Sequence, residues 1–374
     1  DSLSSQDLGW LAIPIAILAL CLIFLIFRPG VLFDLKLPGE LGLTYKGGWG
    51  IAKEVIQRNP ILGSGPETFI YNYSLYKPES INQTMFWNLR FVNTPAEILT
   101  LLPEIGALGI LSFLAIMAMF LLKVVRSLLS EERGSEQLIR IKIGLFSSWI
   151  ALIVAWFLYP QSLALMFIFW LFFALLTVLS GQRNDIKTFH FKGSTKVALV
   201  GSFGAIILMI IVIGLLYMEG SKFIAEAKYK TALDLINKGE LDEGIDKVVR
   251  ATVANPYEDK FYRNLAQLFI TQINQNLNNQ SLDPQDRTNK VQVGISNAIN
   301  YGAMATTLNS KNVANWIVRG FVYRNLIALV NGSGGWAVKS YEEALKIEPA
   351  NPFIYLEIGR TYVNGADLLQ NQAQ

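Results

Sequence analysis

Residues 47–69, GGWGIAKEVIQRNPILGSGPETF, and residues 90–111, RFVNTPAEILTLLPEIGALGIL, hold the stretch on which the reading of this chain turns. In the first, Trp49, Ala52, Val55 and Ile56 recur at helical spacing while Lys53, Glu54, Gln57 and Arg58 take the other face, which predicts a short amphipathic helix over 48–58. Asn59-Pro60 stops it. Beside a membrane span such a helix lies flat in the interface or packs on a neighbouring core, and the spacing fits both. The following Gly63-Ser64-Gly65-Pro66 permits a sharp turn, either a plain turn or one whose amides face an anionic group. In the second stretch, Thr94-Pro95-Ala96-Glu97 has the form of a capping box, with Thr94 as N-cap and Glu97 reaching back to it. A long apolar helix is therefore expected to start there and run to about residue 122. Pro103 should kink it, and Gly106 and Gly109 offer a face that another helix can approach closely. Glu104 is the anomaly, because a carboxylate in an apolar helix is costly unless paired, protonated or facing water. It marks a functional position or a structural pair with a loop cation.

Working outward, the chain of 374 residues is 52% hydrophobic and only 16% charged, and its apolar residues gather in five runs before residue 218. Residues 10–27 make an uncharged run of about 18 residues, enough to cross the hydrocarbon core of a bilayer. The helix from residue 94 is the second, 143–159 and 162–179 form a hairpin about Tyr159-Pro160-Gln161, and 197–217 is the fifth. Lys123, Arg126, Arg133, Arg140 and Lys142 in one short loop, and Arg183, Lys187, Lys192 and Lys196 in the other, share a side by helix parity, which the positive-inside rule makes cytoplasmic. The large loop over 28–93 and everything after Tyr217 then face outward. Tyr71, Tyr73, Tyr76, Phe86, Trp87 and Phe91 lie in that loop, suited to a headgroup-level surface or to a folded cap with its own small core. The net charge of +3, with no basic helix, gives no footprint for nucleic acid. Cys21 is the one cysteine and His190 the one histidine, so no disulfide, metal site or cofactor is expected. Asp1 in place of methionine gives the expectation that more chain precedes it.

After Tyr217 the pattern becomes amphipathic helices with Asn-Pro and Gly breaks, and aligning Pro256, Ser310 and Pro349 reveals an internal repeat. Before these markers stand Gly244, Val248 and Ala251; Ala298, Gly302 and Ala305; and Ala337, Tyr341 and Ala344. After them stand Tyr262, Ala266 and Phe269; Trp316, Gly320 and Tyr323; and Tyr355, Gly359 and Tyr362. Small residues let helices approach and aromatics fill the gaps between them. The arrangement, with SYEEALKIEPANPFIYLEIGRTY nearly position by position, resembles the tetratricopeptide repeat. Marker spacings of fifty-four and thirty-nine residues exceed the usual thirty-four or so, with the excess expected in polar loops at 274–290 and 331–335. Such repeats bind a peptide, a protein or another copy, and the last is expected to continue past Gln374. The fold expectation is all-α: a polytopic membrane domain over 1–217 with about five spans, then a tetratricopeptide α-solenoid over 218–374.

The order of these parts resembles the C-terminal half of the O-antigen ligase and polymerase family, in the branch that carries tetratricopeptide repeats after its last helix. The likeness covers roughly residues 8–218 and is carried by Trp49, residues 60–66, Phe69 and Glu104-Ile105-Gly106-Ala107-Leu108-Gly109. It implies a cytoplasmic-membrane transferase with a cleft at the outer face, where glycan on a polyprenyl diphosphate passes to an acceptor sugar or protein. A diphosphate leaving group wants cationic donors and an acceptor hydroxyl wants a base. The cationic candidates are Lys46, Arg58 and Arg90, and the candidate bases Glu97 and Glu104. Trp49, Arg58, Gly63 and Gly65 are the candidate substrate contacts. Two positions depart from the family pattern: Tyr45-Lys46 stands where an arginine commonly precedes the tryptophan, and Pro95 where a histidine often opens the next helix. Lysine lacks the guanidinium fork, and proline supplies neither base nor donor. The competing expectation is a non-enzymatic membrane anchor for the repeats.

Overall fold

The structure is a computed structural model and describes Ala19 and residues 42–129, 136–180 and 195–373. Apart from Ala19, the first expected span, over 10–27, lies outside the described residues, as do Cys21, His190 and most of the second charged loop. Every regular element described is helical. They are α1 (Tyr45–Arg58), α2 (Phe69–Tyr76), a 3-10 turn (Glu79–Gln83), α3 (Glu97–Leu129), α4 (Glu136–Leu158), α5 (Leu163–Ser180), α6 (Thr195–Asn237), α7 (Leu241–Ala254), α8 (Asp259–Asn278), α9 (Pro284–Leu308), α10 (Val313–Asn325), α11 (Ser333–Ile347) and α12 (Pro352–Ala373). Four of them, α3 to α6, are long and apolar enough to cross a membrane, so the chain is a membrane protein by length and composition of its helices.

Two compact units divide the chain. In the first, α3, α4 and α5 meet through aromatic rings. Phe120 lies edge-on to Trp149 at 4.7 Å and stacks on Phe173 at 4.0 Å, while Trp156 stacks on Phe113 at 5.0 Å. Between apolar helices in lipid the hydrophobic effect adds little, so packing of large flat surfaces of this kind carries the association. The hairpin turn falls where Pro160 demands it, between the end of α4 and the start of α5. The loop expected over 123–142 is largely helical, with α3 continuing to Leu129 and α4 starting at Glu136, and Lys142 bridges the two by donating to Ser127 at 3.1 Å. Of the six aromatics of the large loop, five are partly buried and one is enclosed. Tyr73 is fully buried and meets Phe91 edge-on at 5.6 Å, which is the folded-cap arrangement.

The second unit holds Lys77–Leu89 and α6 to α12. Residue 217, where the sequence suggests a boundary, falls inside α6, which continues unbroken to Asn237 and pairs with α7. Thereafter α8 pairs with α9 and α10 with α11, and α12 follows. The repeat seen in sequence recurs in hydrogen bonding. The aromatic six residues after each marker donates to that marker's carbonyl: Tyr262 to Pro256 at 3.1 Å, Trp316 to Ser310 at 2.8 Å and Tyr355 to Pro349 at 3.3 Å. Each preceding helix also ends alike, with the amides of Asn255, Asn309 and Glu348 donating to Ala251, Ala305 and Ala344. Val248, Ala251, Ala266, Ala298, Ala305, Ala337, Tyr341 and Ala344 are buried as the pattern requires, whereas Tyr355 and Tyr362 on α12, the last described helix, are exposed. The excess residues after the first marker do not make the polar loop expected over 274–290. They lengthen α8 and α9, because Asp283 caps the amide of Gln285 and Pro284 opens the next helix almost at once.

Lys77–Leu89 is tied down within this second unit. Asn82 donates to the carbonyl of Ala350, between α11 and α12, at 2.6 Å, and buried Lys77 donates to the carbonyl of Trp87. Farther along, Glu357 of α12 is almost fully buried between Arg324 at 2.6 Å and Arg360 at 2.8 Å and accepts the Tyr341 hydroxyl at 3.3 Å. Burial pushes that hydroxyl well above its ordinary titration range. Because the folded chain holds this proton more tightly than the unfolded one, its contribution to stability is whole below about pH 10 and declines as pH rises beyond that value. Alkaline unfolding of the detergent-solubilised protein is expected to show this decline, and Tyr341→Phe to make it shallower. At neutral pH the same substitution should cost about 1 kcal/mol for the lost hydrogen bond.

Candidate functional site

Thr44 starts α1, its hydroxyl accepting the amide of Gly47 at 3.1 Å. The buried face of α1 is Gly48, Ile51, Ala52 and Val55, so the stripe expected at Trp49-Ala52-Val55-Ile56 is rotated by about one residue. The reason is local. Gly48 presents no side chain to Thr94, whose methyl lies 3.0 Å from where its Cβ would be, and that approach turns Trp49 outward to 51% exposure. The Tyr45 hydroxyl reaches the carbonyl of Leu158 at 2.9 Å and fastens α1 to the end of α4.

Residues 60–66 then cross a break in α3. The expected kink at Pro103 is centred three residues later, at Gly106, whose φ of 62° and ψ of −170° leave the helix entirely. That conformation is open almost solely to glycine. It frees the carbonyls of Pro103 and Glu104 and the amides of Ala107 and Leu108, and loop backbone meets all four. Ser64 N donates to Pro103 O at 2.9 Å and Gly65 N to Glu104 O at 2.9 Å, while Ala107 N donates to Pro60 O at 2.9 Å and Leu108 N to Ile61 O at 3.0 Å. Contact is close enough that a Cβ on Gly106 would stand 2.5 Å from Gly63 N, and one on Gly63 2.4 Å from Pro103 O. Gly106 thus receives a loop, not the helix expected against it. The Gly63 amide also has a partner, donating to Asn59 O at 3.1 Å, so the turn's amides are engaged within the protein.

Both candidate bases act on backbone amides. Glu104 is 6% exposed and accepts the Phe69 amide at 2.9 Å, so its carboxyl group sits at the N-terminal end of α2. Glu97 does not close a capping box. The Thr94 amide is taken by the Thr100 hydroxyl at 3.0 Å, leaving the Glu97 carboxylate to accept the Gln161 amide at 2.9 Å while its own amide donates to Tyr159 O at 3.2 Å. Two of the candidate cations stand far apart. Lys46 and Arg58 are twelve residues apart on α1, about 18 Å along its axis. Lys46 is exposed, Arg58 lies over the Tyr76 ring at 5.1 Å, and Arg90 is half-buried on the approach to α3.

A polar cluster that the motif reading passed over completes the site. Ser64 and Thr68 share a hydrogen bond at 2.6 Å, Asn72 donates to Ser64 at 2.7 Å, and Thr68 closes on Gly65 O at 2.6 Å. Ser64 and Thr68 lie in the turn before α2 and only Asn72 is on the helix, so helical periodicity gave no signal for the cluster. No three of His, Cys, Asp and Glu gather in one place among the described residues. No family model matches the chain, and no curated protein matches it.

Gly106→Ala is expected to open this joint, with backbone strain of about 1–3 kcal/mol adding to the clash with the loop. Hydrogen exchange in detergent should show the amides of Ser64, Gly65, Ala107 and Leu108 losing protection together. Gly50→Ala, whose added methyl meets nothing within 4 Å, should leave all four unchanged.

Proposed function

We propose that the chain is a membrane transferase of the O-antigen ligase and polymerase type. It passes glycan from a polyprenyl diphosphate to an acceptor at the outer face of the cytoplasmic membrane, and tetratricopeptide-type repeats recruit the acceptor or a protein partner. The observation that supports this reading is the joint itself. Two short motifs some forty residues apart, 60–66 with Phe69 and 104–109, carry the family likeness, and they are the segments that hydrogen-bond across the break in α3.

In the transfer, the bond from the sugar's anomeric carbon to the diphosphate breaks as a new one forms to the acceptor hydroxyl. The hydroxyl proton goes to a base, and the polyprenyl diphosphate leaves with the electron pair. Arg90 and Lys46 are the cations assigned to the leaving group. Glu97, half-buried where Glu104 is enclosed, is the base an acceptor can reach. Trp49, exposed on α1, supplies a flat apolar surface for a sugar or lipid. A second reading, a non-catalytic membrane anchor for the repeats, draws on the amide contacts of both carboxylates and the separation of Lys46 from Arg58.

Charge reversal separates the two. In native cells Arg90→Glu and Lys46→Glu should abolish the surface polysaccharide, and Glu97→Gln should reduce it at least about a hundredfold, the usual scale of a lost general base. Protein level and membrane insertion should stay normal. Unchanged polysaccharide in these variants, with a defect only on deleting residues 241–373, would establish the anchor reading instead.

A further inference from the structure

The last span becomes the first helix of the repeats, and this sets a scale of height for their near edge. The apolar run of α6 closes at Tyr217, and each later residue lies about 1.5 Å farther along the helix. Ser221, about 6 Å on, donates its hydroxyl to the carbonyl of Ala254 at 2.5 Å, which pins the end of α7 beside the point where α6 leaves the hydrocarbon. Lys260, at the start of α8, pairs with Glu226 at 2.8 Å, about 14 Å past Tyr217. The turn from α7 into α8 therefore hangs close to the headgroup layer, which is roughly 5–8 Å deep on each face of a bilayer.

The side chains at this height are the ones that water suits least. From residue 217 onward the four most exposed large apolar side chains are Tyr257 at 84%, Val253 at 79%, Tyr217 at 77% and Phe223 at 76%, and all four belong to this band. Those on α6 do not form a one-sided patch. At 3.6 residues per turn Tyr217, Met218 and Phe223 project from three sides of α6, each about 100° or more from the others. A partner protein would cover one side, whereas a lipid surface meets every side at a single height. Tyrosine, apolar in body and polar at its tip, is the residue that membrane interfaces favour.

We infer that the edge of the repeat array at residues 253–257 is itself a membrane contact, with Val253 and Tyr257 seated among the phospholipid headgroups and upper acyl chains of the bilayer that α6 crosses. The array stands edge-on to that surface. This holds whether or not the chain is a transferase.

The test uses the full chain with Cys21→Ser, so that one introduced cysteine at a time can carry an environment-sensitive fluorophore. Val253→Cys, Tyr257→Cys and Lys238→Cys variants are reconstituted in phosphatidylcholine and phosphatidylglycerol nanodiscs. They are exposed separately to a lipid bearing a nitroxide near its headgroup and to aqueous iodide. Labels at 253 and 257 should lose emission to the nitroxide lipid and resist iodide. The label at 238, about 32 Å past Tyr217, should do the reverse. Iodide quenching at 253 and 257 equal to that at 238 would overturn the proposal. So would protection from both quenchers, which would mean that protein covers this edge.

Discussion

A helix broken inside apolar surroundings leaves carbonyls and amides that must find partners, and here four backbone hydrogen bonds from residues 60–65 supply them. The lobe outside the spans is arranged by that requirement. α1 leads into the loop through Asn59, α2 leaves it under the Glu104 carboxylate, and Gly63 and Gly106 can come together because neither carries a side chain. A carboxylate at the N-terminal end of a helix and a loop laid across a kink support each other. Glu104 reaches the Phe69 amide where Ser64 and Gly65 are bound to the carbonyls of Pro103 and of Glu104 itself.

Periodicity and punctuation made the spans and the repeat legible. The turn at Tyr159-Pro160-Gln161 and the markers Pro256, Ser310 and Pro349 are local signals, and local hydrogen bonds answer them. What the sequence hid depended on distant partners. The register of α1 is chosen by Thr94, and the partner of Glu97 is an amide in another hairpin. Pro103 is the obvious breaker, yet the chain turns at Gly106, because that is where loop backbone can meet the freed groups. The length of α8 and α9 was obscured for the same reason, since polar composition marks solvent exposure as readily as it marks a loop.

Of the residues singled out in sequence, Gly63, Gly65 and Glu104 meet at the break in α3, where their contacts are with backbone. Residues 60–66, Phe69 and 103–108 converge as scaffold: glycines for approach, a carboxylate for a helix end, prolines and short polar side chains for a tight turn. The side chains with chemistry to offer, Lys46, Arg90, Glu97 and Trp49, belong to the elements this scaffold holds.

The continuity of α6 has a mechanical side. Its 43 residues make a rod about 65 Å long, half of it greasy and half carrying α7 along its flank. Helices that are long for their bilayer lean, and a lean of about 10° swings a point 30 Å up such a rod sideways by roughly 5 Å. Membrane thickness is thereby converted into lateral displacement of the helices that α6 carries beyond the bilayer, as a lever converts a small rotation into travel.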